Sequence, residues 1–326
     1  MRKENTLEVK DFPLDCGILL HEANFSFTTY GTYDRNAVLI FHALTGNSNA
    51  ADWWSGLIGE GKAIDPEKSF IISVNFLGSC YGSTGPESID PLSGKPYHSI
   101  FPIITIADIA RQHLVILDSL GIGKVSIGIG GSMGGMVLLE LALLAPNLFE
   151  KIIPIAVAAS HSAWRLAFST TIRKIIEAFG EQGFEKGLFL ARHIAMTSYR
   201  SSTEFNNRFG RDMIGDSFEV EHYLEHQGKK IAERFSPYSY LTLTRAMELY
   251  DITDRIREIT CKAHFIGIDS DILYKEDEIC EVVSNIPNAT YSTLVAPFGH
   301  DSFLVAQDKL ANLILPFLNI SNTNNL

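Results

Sequence analysis

Across 326 residues there are only four cysteines, Cys16, Cys80, Cys261 and Cys280, all far apart in the chain. Such spacing provides neither a CxxC pair nor the dense disulfide framework of a small secreted domain, so free thiols in a reducing cytoplasm are expected. No apolar run reaches the roughly 20 residues that a membrane-crossing helix needs. The longest, residues 137–145, is interrupted by Glu140 and closed by Pro146. The opening Met1-Arg2-Lys3-Glu4-Asn5-Thr6 lacks the apolar core of a secretory signal. Basic residues are outnumbered, 27 Lys and Arg against 38 Asp and Glu for a formal charge of −11, which removes the footprint that nonspecific nucleic-acid binding depends on. Internal repeats and low-complexity tracts are also missing, and only the Asn-rich end, residues 319–325, reads as frayed. What remains is a globular chain, 46% hydrophobic and long enough for one large core that carries an insertion.

The order of patterns sets the fold class. Short β-rich runs at 37–42, 70–75, 125–130, 152–158, 263–268 and 290–295 alternate with helical patterns at 105–120, 132–145, 271–285 and 303–318. That alternation predicts an α/β fold with a mostly parallel sheet and helices on both faces. Residues 17–31 alternate polar and apolar side chains in places and suit an antiparallel edge hairpin. Between about 160 and 255 the patterns are almost wholly helical with no strand evident, which reads as a helical lid inserted between two sheet segments. The expected organisation is therefore core 1–159, lid 160–255 and core 256–326, with the lid where loops leave the C-terminal ends of parallel strands. From 160 to 212 eight basic residues face five acidic ones, so this part of an acidic protein either forms a solvated helical surface or faces an anionic substrate.

Chemistry concentrates at Gly130-Gly131-Ser132-Met133-Gly134, between the β-branched run ending at Gly130 and an apolar helical pattern. A serine hydroxyl is a weak nucleophile at neutral pH, and a sharp strand-to-helix turn lifts it clear of the sheet toward a base. Glycine allows the strained backbone and close helix packing, and the Met133 N–H at the helix start can bind an oxyanion. On this architecture an acid and then a histidine follow the serine in the chain. His300, in Phe298-Gly299-His300-Asp301, is the one histidine after the candidate acids. Ile266-Gly267-Ile268-Asp269-Ser270-Asp271 ends a strand with two carboxylates two residues apart, and spacing alone does not choose between them. A second oxyanion donor is expected after the strand of Phe41-His42-Ala43-Leu44-Thr45-Gly46, from the Leu44 N–H. His42 precedes the serine at a strand end and reads as a structural hydrogen-bonding residue.

Together these residues resemble the homoserine O-acyltransferase family of α/β-hydrolase-fold enzymes, and the likeness extends over nearly the whole chain. It includes His42-Ala43-Leu44-Thr45-Gly46, Trp53-Trp54, Asn75-Phe76-Leu77-Gly78-Ser79-Cys80-Tyr81-Gly82, Gly130-Gly131-Ser132-Met133-Gly134-Gly135, Thr197-Ser198-Tyr199-Arg200, Tyr240-Leu241-Thr242-Leu243-Thr244-Arg245, Ser270-Asp271 and Gly299-His300-Asp301-Ser302-Phe303-Leu304. The resemblance implies Ser132 as nucleophile, Asp271 and His300 as its partners, and Leu44 and Met133 as oxyanion donors. It further implies Arg200 as the group that binds the amino acid's carboxylate and Asp301 as the carboxylate that holds its ammonium. L-homoserine and an acyl-CoA are the implied substrates, with acetyl-CoA as co-substrate, no metal, and a cytoplasmic homodimer working in methionine synthesis. Neither nucleic acid nor membrane is an expected partner. The same triad would hydrolyse an ester or thioester if water reached the acyl-enzyme first. Succinyl transfer, or transfer to serine, are narrower alternatives, and a non-catalytic binding protein of the same fold would not need an intact Ser, Asp and His set.

Overall fold

A computed structural model describes residues 2–33 and 36–318; the Asn-rich end lies outside the described residues. The chain opens with β1 (Arg2–Pro13) and β2 (Leu19–Tyr30), a long antiparallel hairpin, and continues with β3 (Ala37–Phe41), α1 (Ala50–Trp53), β4 (Phe70–Val74) and α2 (Ile106–Ser119). β5 (Val125–Gly131), α3 (Met133–Leu144) and β6 (Phe149–Ile155) follow. The main sheet has eight strands in the order β1-β2-β4-β3-β5-β6-β9-β10, the last two being Lys262–Ile268 and Ala289–Leu294. From β4 to β10 every neighbouring pair is parallel. Val, Ile, Leu and Phe fill β3 completely after its first alanine, and all five residues are buried, as a strand covered on both faces requires.

The edge hairpin is longer than the alternation at 17–31 predicts. β1 was hidden because Arg2, Lys3, Glu4, Glu8 and Lys10 make it read as a charged, unstructured start, yet exposed charges are how an edge strand discourages further pairing. α3 explains itself in the opposite way. It is apolar apart from Glu140, which pairs with Arg255, and buried from Met133 to Ala142, so it runs between sheet and neighbouring helices. α2 starts on a capping box in which Thr105 accepts the Asp108 N–H and Asp108 accepts the Thr105 N–H, stabilising that helix end.

Between β6 and β9 the chain forms α4 (Ala163–Glu177), α5 (Phe184–Tyr199), α6 (Ser202–Phe209), α7 (Glu219–Ala232) and α8 (Pro237–Glu248). One feature departs from the all-helical expectation: a two-stranded hairpin of β7 (Met213–Ile214) and β8 (Ser217–Phe218). Two-residue strands carry no period to read, and only Gly215, at φ +64°, marks the turn. The helix expected from Asp271 begins later, as α9 (Glu276–Ser284), because the Asp271 carboxylate folds residues 271–274 into a turn by accepting the Leu273 and Tyr274 N–H groups. The last helix is split into α10 (Ser302–Val305) and α11 (Gln307–Leu318). Gln307 accounts for the break, since its side chain accepts the Gly56 N–H and donates to the Trp53 and Leu304 carbonyls.

Candidate active site

β5 ends where Ser132 turns the chain at φ +56°, ψ −125°, a conformation that L-residues avoid and that packing must hold. The glycines around it show what holds it. A Cβ on Gly131 would lie 2.6 Å from the Phe303 ring, one on Gly135 2.7 Å from Val157, and one on Gly134 would overlap the Phe41 carbonyl and lie 2.8 Å from that of His42. The start of α3 is thus pressed onto the end of β3. Ser132 donates its N–H to Ile155, and its carbonyl receives the N–H groups of Gly135 and Met136. Met133, the first helical residue, therefore keeps its N–H outside the intrahelical ladder.

Asp271 and His300 meet. His300 Nδ1 lies 2.6 Å from Asp271 Oδ2, and both side chains are buried. Oδ1 of Asp271 accepts two backbone N–H groups, at 2.7 and 3.2 Å, which orients the carboxylate before it meets the imidazole. Asp269 has a different job, accepting the Ala296 N–H at 3.0 Å. The two acids left open by spacing are thereby distinguished by partner. Ser270 ties the same loops together, donating to the Ala296 carbonyl and accepting the Gly299 N–H. Gly299 sits at φ +63°, where a Cβ would lie 2.7 Å from Ser201 N and Tyr199 O, so the histidine loop and the end of α5 touch backbone to backbone. Around the imidazole stand the rings of Tyr274 at 5.3 Å, Phe303 at 5.6 Å and Tyr199 at 6.0 Å. Phe303 bridges the halves of the site, because it also fills the space over Gly131. The Ser132 hydroxyl makes no hydrogen bond among the described residues, a common state of a site without substrate.

On the facing loop, His42 is fully buried. Its Nε2 accepts the Phe76 N–H at 3.3 Å, which leaves Nδ1 to donate to the Ala43 carbonyl at 2.8 Å, and its ring stacks on Phe76 at 3.8 Å. Burial pushes its pKa down to about 4, so the ring is neutral at physiological pH and serves as a rigid post for the Leu44 loop. The Gly46 N–H closes the turn onto Ala43 O, and Leu44 is buried.

Arg200 and Asp301 also come together, Nε to Oδ2 at 3.0 Å, with Arg200 Nη1 on Glu204 at 3.1 Å. Asp301 occupies the N-cap position of α10, but its side chain makes no capping bond and turns to the arginine. Arg200, Glu204, Arg208, Phe298 and Val305 border an open hollow of about 560 Å³. A second, smaller hollow of about 40 Å³ lies between Leu44, Arg165, Tyr199, Thr244 and Leu273. Sequence reasoning did not single out Arg165, Tyr274 or Glu204. Arg165 was visible only as one of eight basic residues in its segment, and an arginine three positions into an apolar-patterned helix was the available signal. Among the described residues no group of three or more His, Cys, Asp or Glu side chains is placed to hold a metal ion, and no helix is long and apolar enough to cross a membrane.

Sheet order, elbow and loop positions are those of the α/β-hydrolase fold, and the family model of that description matches residues 36–307. A homoserine O-acetyltransferase of Chlorobaculum parvum is 41% identical over 94% of this chain and 92% of its own. A homoserine O-acetyltransferase from Staphylococcus aureus, known from its crystal structure, superposes with a TM-score of 0.84 at 27% identity, covering 100% of this chain and 98% of its own. Esterase E22 superposes with a TM-score of 0.91 at 26% identity, over 98% of this chain and 100% of its own. The chain belongs to the homoserine O-acetyltransferase family.

Proposed function

We propose that this protein transfers an acetyl group from acetyl-CoA to the γ-hydroxyl of L-homoserine, through an acyl-enzyme on Ser132, as a step of methionine synthesis. The observation that carries the reading is the buried 2.6 Å contact of Asp271 with His300, packed through Phe303 against a strained serine elbow, in a chain of this family. His300 takes the Ser132 proton as Oγ attacks the thioester carbon, and the Leu44 and Met133 N–H groups receive the developing oxyanion. As the tetrahedral intermediate collapses, the carbon–sulfur bond breaks and CoA leaves with the proton from His300. Homoserine's hydroxyl then attacks the acyl-serine, His300 removing its proton and returning it to Ser132. Asp271 holds the imidazole tautomer and stabilises the imidazolium. Each oxyanion donor is worth about 3 kcal/mol of transition-state stabilisation.

Arg200 and Asp301 are the zwitterion's receptors in this reading. Their direct ion pair opens so that the substrate carboxylate takes the guanidinium, whose planar fork suits it, while the ammonium takes Asp301. Residues 160–255 act as the lid over cores 1–159 and 256–326. The protein works in the cytoplasm as a homodimer, and the exposed Met213, Ile214 and Phe218 of the small hairpin give the lid an apolar face for a second copy.

The likeness to esterase E22 favours one second reading, hydrolysis of the same acyl-enzyme by water. Thiol release from acetyl-CoA, measured with and without L-homoserine and with mass detection of O-acetylhomoserine, separates the two. Homoserine-dependent release that falls by about 10⁵ or more in Ser132→Ala is expected. Equal release of free acetate with and without homoserine would overturn the transferase reading.

A further inference from the structure

Arg165, in the first turn of α4, is a buried cation held where a cation is unwelcome. It is 7% exposed, and its guanidinium lies on the Tyr274 ring with Cζ 3.3 Å from the centroid. Among the described residues no carboxylate pairs with it; Asp271 and Glu278 act on it only through space, and its Nη1 has no hydrogen-bond partner. Burial lowers its pKa to about 9, which leaves it charged at neutral pH. The positive end of the α4 dipole opposes that charge further. Isolated buried charge is expensive unless something answers it.

The neighbouring groups lack partners too. His161 is nine-tenths buried with neither ring nitrogen hydrogen-bonded, and the hydroxyls of Ser162 and Thr244 are likewise buried and unpartnered. Burial and the Arg165 charge hold His161 neutral, so the cluster carries one net positive charge. Arg165, His161 and Thr244 all line the small hollow of about 40 Å³. That space has room for about three waters or for a carboxylate headgroup. Its other walls include Leu44 of the oxyanion loop, Leu273 whose N–H holds Asp271, and Tyr199 beside His300. It shares no wall residue with the open hollow of Arg200. In the proposed reaction the acceptor's carboxylate goes to Arg200, which leaves this hollow to the acyl side of the centre.

We propose that the hollow at the start of α4 is a carboxylate subsite of the acyl-transfer centre, filled by a free short-chain acid or by the far carboxylate of a dicarboxylic acyl group on Ser132. A carboxylate there answers the Arg165 charge, takes the free Nη1–H and a His161 N–H, and sits favourably at a helix N-terminus. The proposal rests on the acyl-transfer reading for its place in the reaction, while binding itself is measured without turnover.

Thermal unfolding of the full-length protein in acetate or succinate, against neutral acetamide at fixed ionic strength, is the first arm. The midpoint should rise with carboxylate concentration in the wild type. In Arg165→Met the rise should vanish, while the unliganded variant is at least as stable as the wild type because an unanswered buried charge is gone. The second arm identifies the source. If the carboxylate belongs to the acyl group, the wild type transfers from succinyl-CoA, and the ratio of succinyl to acetyl transfer falls at least tenfold in Arg165→Met. If it is a free acid, acetate competes with acetyl-CoA in the wild type and loses at least tenfold in potency in the variant. Should Arg165→Met fail to fold, the wild-type shift and Thr244→Val, which should weaken it, decide the matter. No carboxylate-dependent shift in the wild type, with neither succinyl transfer nor acetate competition, would overturn the subsite. Absence of homoserine-dependent transfer alongside an intact shift would instead overturn the acyl-transfer reading.

Discussion

The end of the sheet and the helices between β6 and β9 hold their charged and reactive side chains by different means. At the sheet, position is a matter of backbone. Ser132 is placed by backbone hydrogen bonds, its N–H donating to Ile155 and its carbonyl accepting from Gly135 and Met136, Asp271 by two N–H donors, and the loops by glycines that leave no room for a methyl group. In the helices, position is a matter of side chains. Arg200 hangs between Asp301 and Glu204, and Arg165 rests on the face of Tyr274. Backbone placement varies little from moment to moment, which suits groups that must be pre-organised for charge development. Side-chain ion pairs can exchange partners, which suits the role proposed for Arg200 and Asp301 as receptors of a charged substrate.

The backbone side is the more sensitive to disturbance. Gly134→Ala puts a methyl group on the Phe41 carbonyl and within 2.8 Å of the His42 carbonyl, neither of which can rotate away. The start of α3 must then lift from β3, moving the Met133 N–H out of the place proposed for an oxyanion donor. Since one lost oxyanion donor alone costs 10²–10³ in kcat by order of magnitude, a loss of about 10³ or more is expected, with a stability loss of about 1–3 kcal/mol from overpacking. Steady-state kinetics and urea midpoints measure both, and near-wild-type values would show that the elbow is not held by contact with β3.

A smaller, more selective effect is expected from the side-chain half. Arg200→Lys keeps the charge and loses the planar fork, so KM for homoserine should rise about tenfold to a hundredfold, the worth of a charged hydrogen bond. KM for acetyl-CoA should hold. Glu204→Gln, which only loosens the guanidinium's second anchor, should act in the same direction by less. An equal loss for both substrates in Arg200→Lys would place this arginine outside the acceptor subsite.

The same division decided what could be read from the sequence. Glycine at 130, 131, 134 and 135 is a backbone statement, and backbone statements are local, so the elbow, the strand beneath it and the helix after it were legible together. The order Ser132, acid, His300 followed from chain connectivity. Spacing does not choose between Asp269 and Asp271, because both end the same strand; the family resemblance names Asp271, and in the fold Asp269 turns to the Ala296 N–H and Asp271 to His300. Arg165 escaped notice for a related reason. Its burial comes from Tyr274, 109 positions away by the numbering, and no window along the chain contains both. β1 is not legible because edge-strand charge imitates a solvated terminus, nor is the β7–β8 hairpin, because two residues have no period.

The mildest test concerns the post behind the oxyanion loop, where backbone and side chain meet. His42 and its neighbour His113, stacked on Phe41 at 4.9 Å, are both fully buried, and burial pushes each down to about 4. Both are neutral in the folded protein at pH 7, as they are in the unfolded chain. As pH falls below the ordinary histidine value of about 6.5, the unfolded chain takes up protons that the folded one refuses, so stability declines with pH until the folded rings protonate near 4. Each ring accounts for a loss on the order of 3 kcal/mol across that window. His113→Phe keeps a flat ring against Phe41 and gives up only the Nδ1–H bond to the Ile109 carbonyl. The variant should therefore start slightly less stable at pH 7 and lose less on acidification, its curve crossing toward the wild type's by pH 4.5. Urea unfolding at half-unit pH steps measures the slope. An unchanged slope would mean that His113 does not carry its share of the acid sensitivity, leaving His42, the residue that pins the Leu44 loop, as the group whose protonation opens the site.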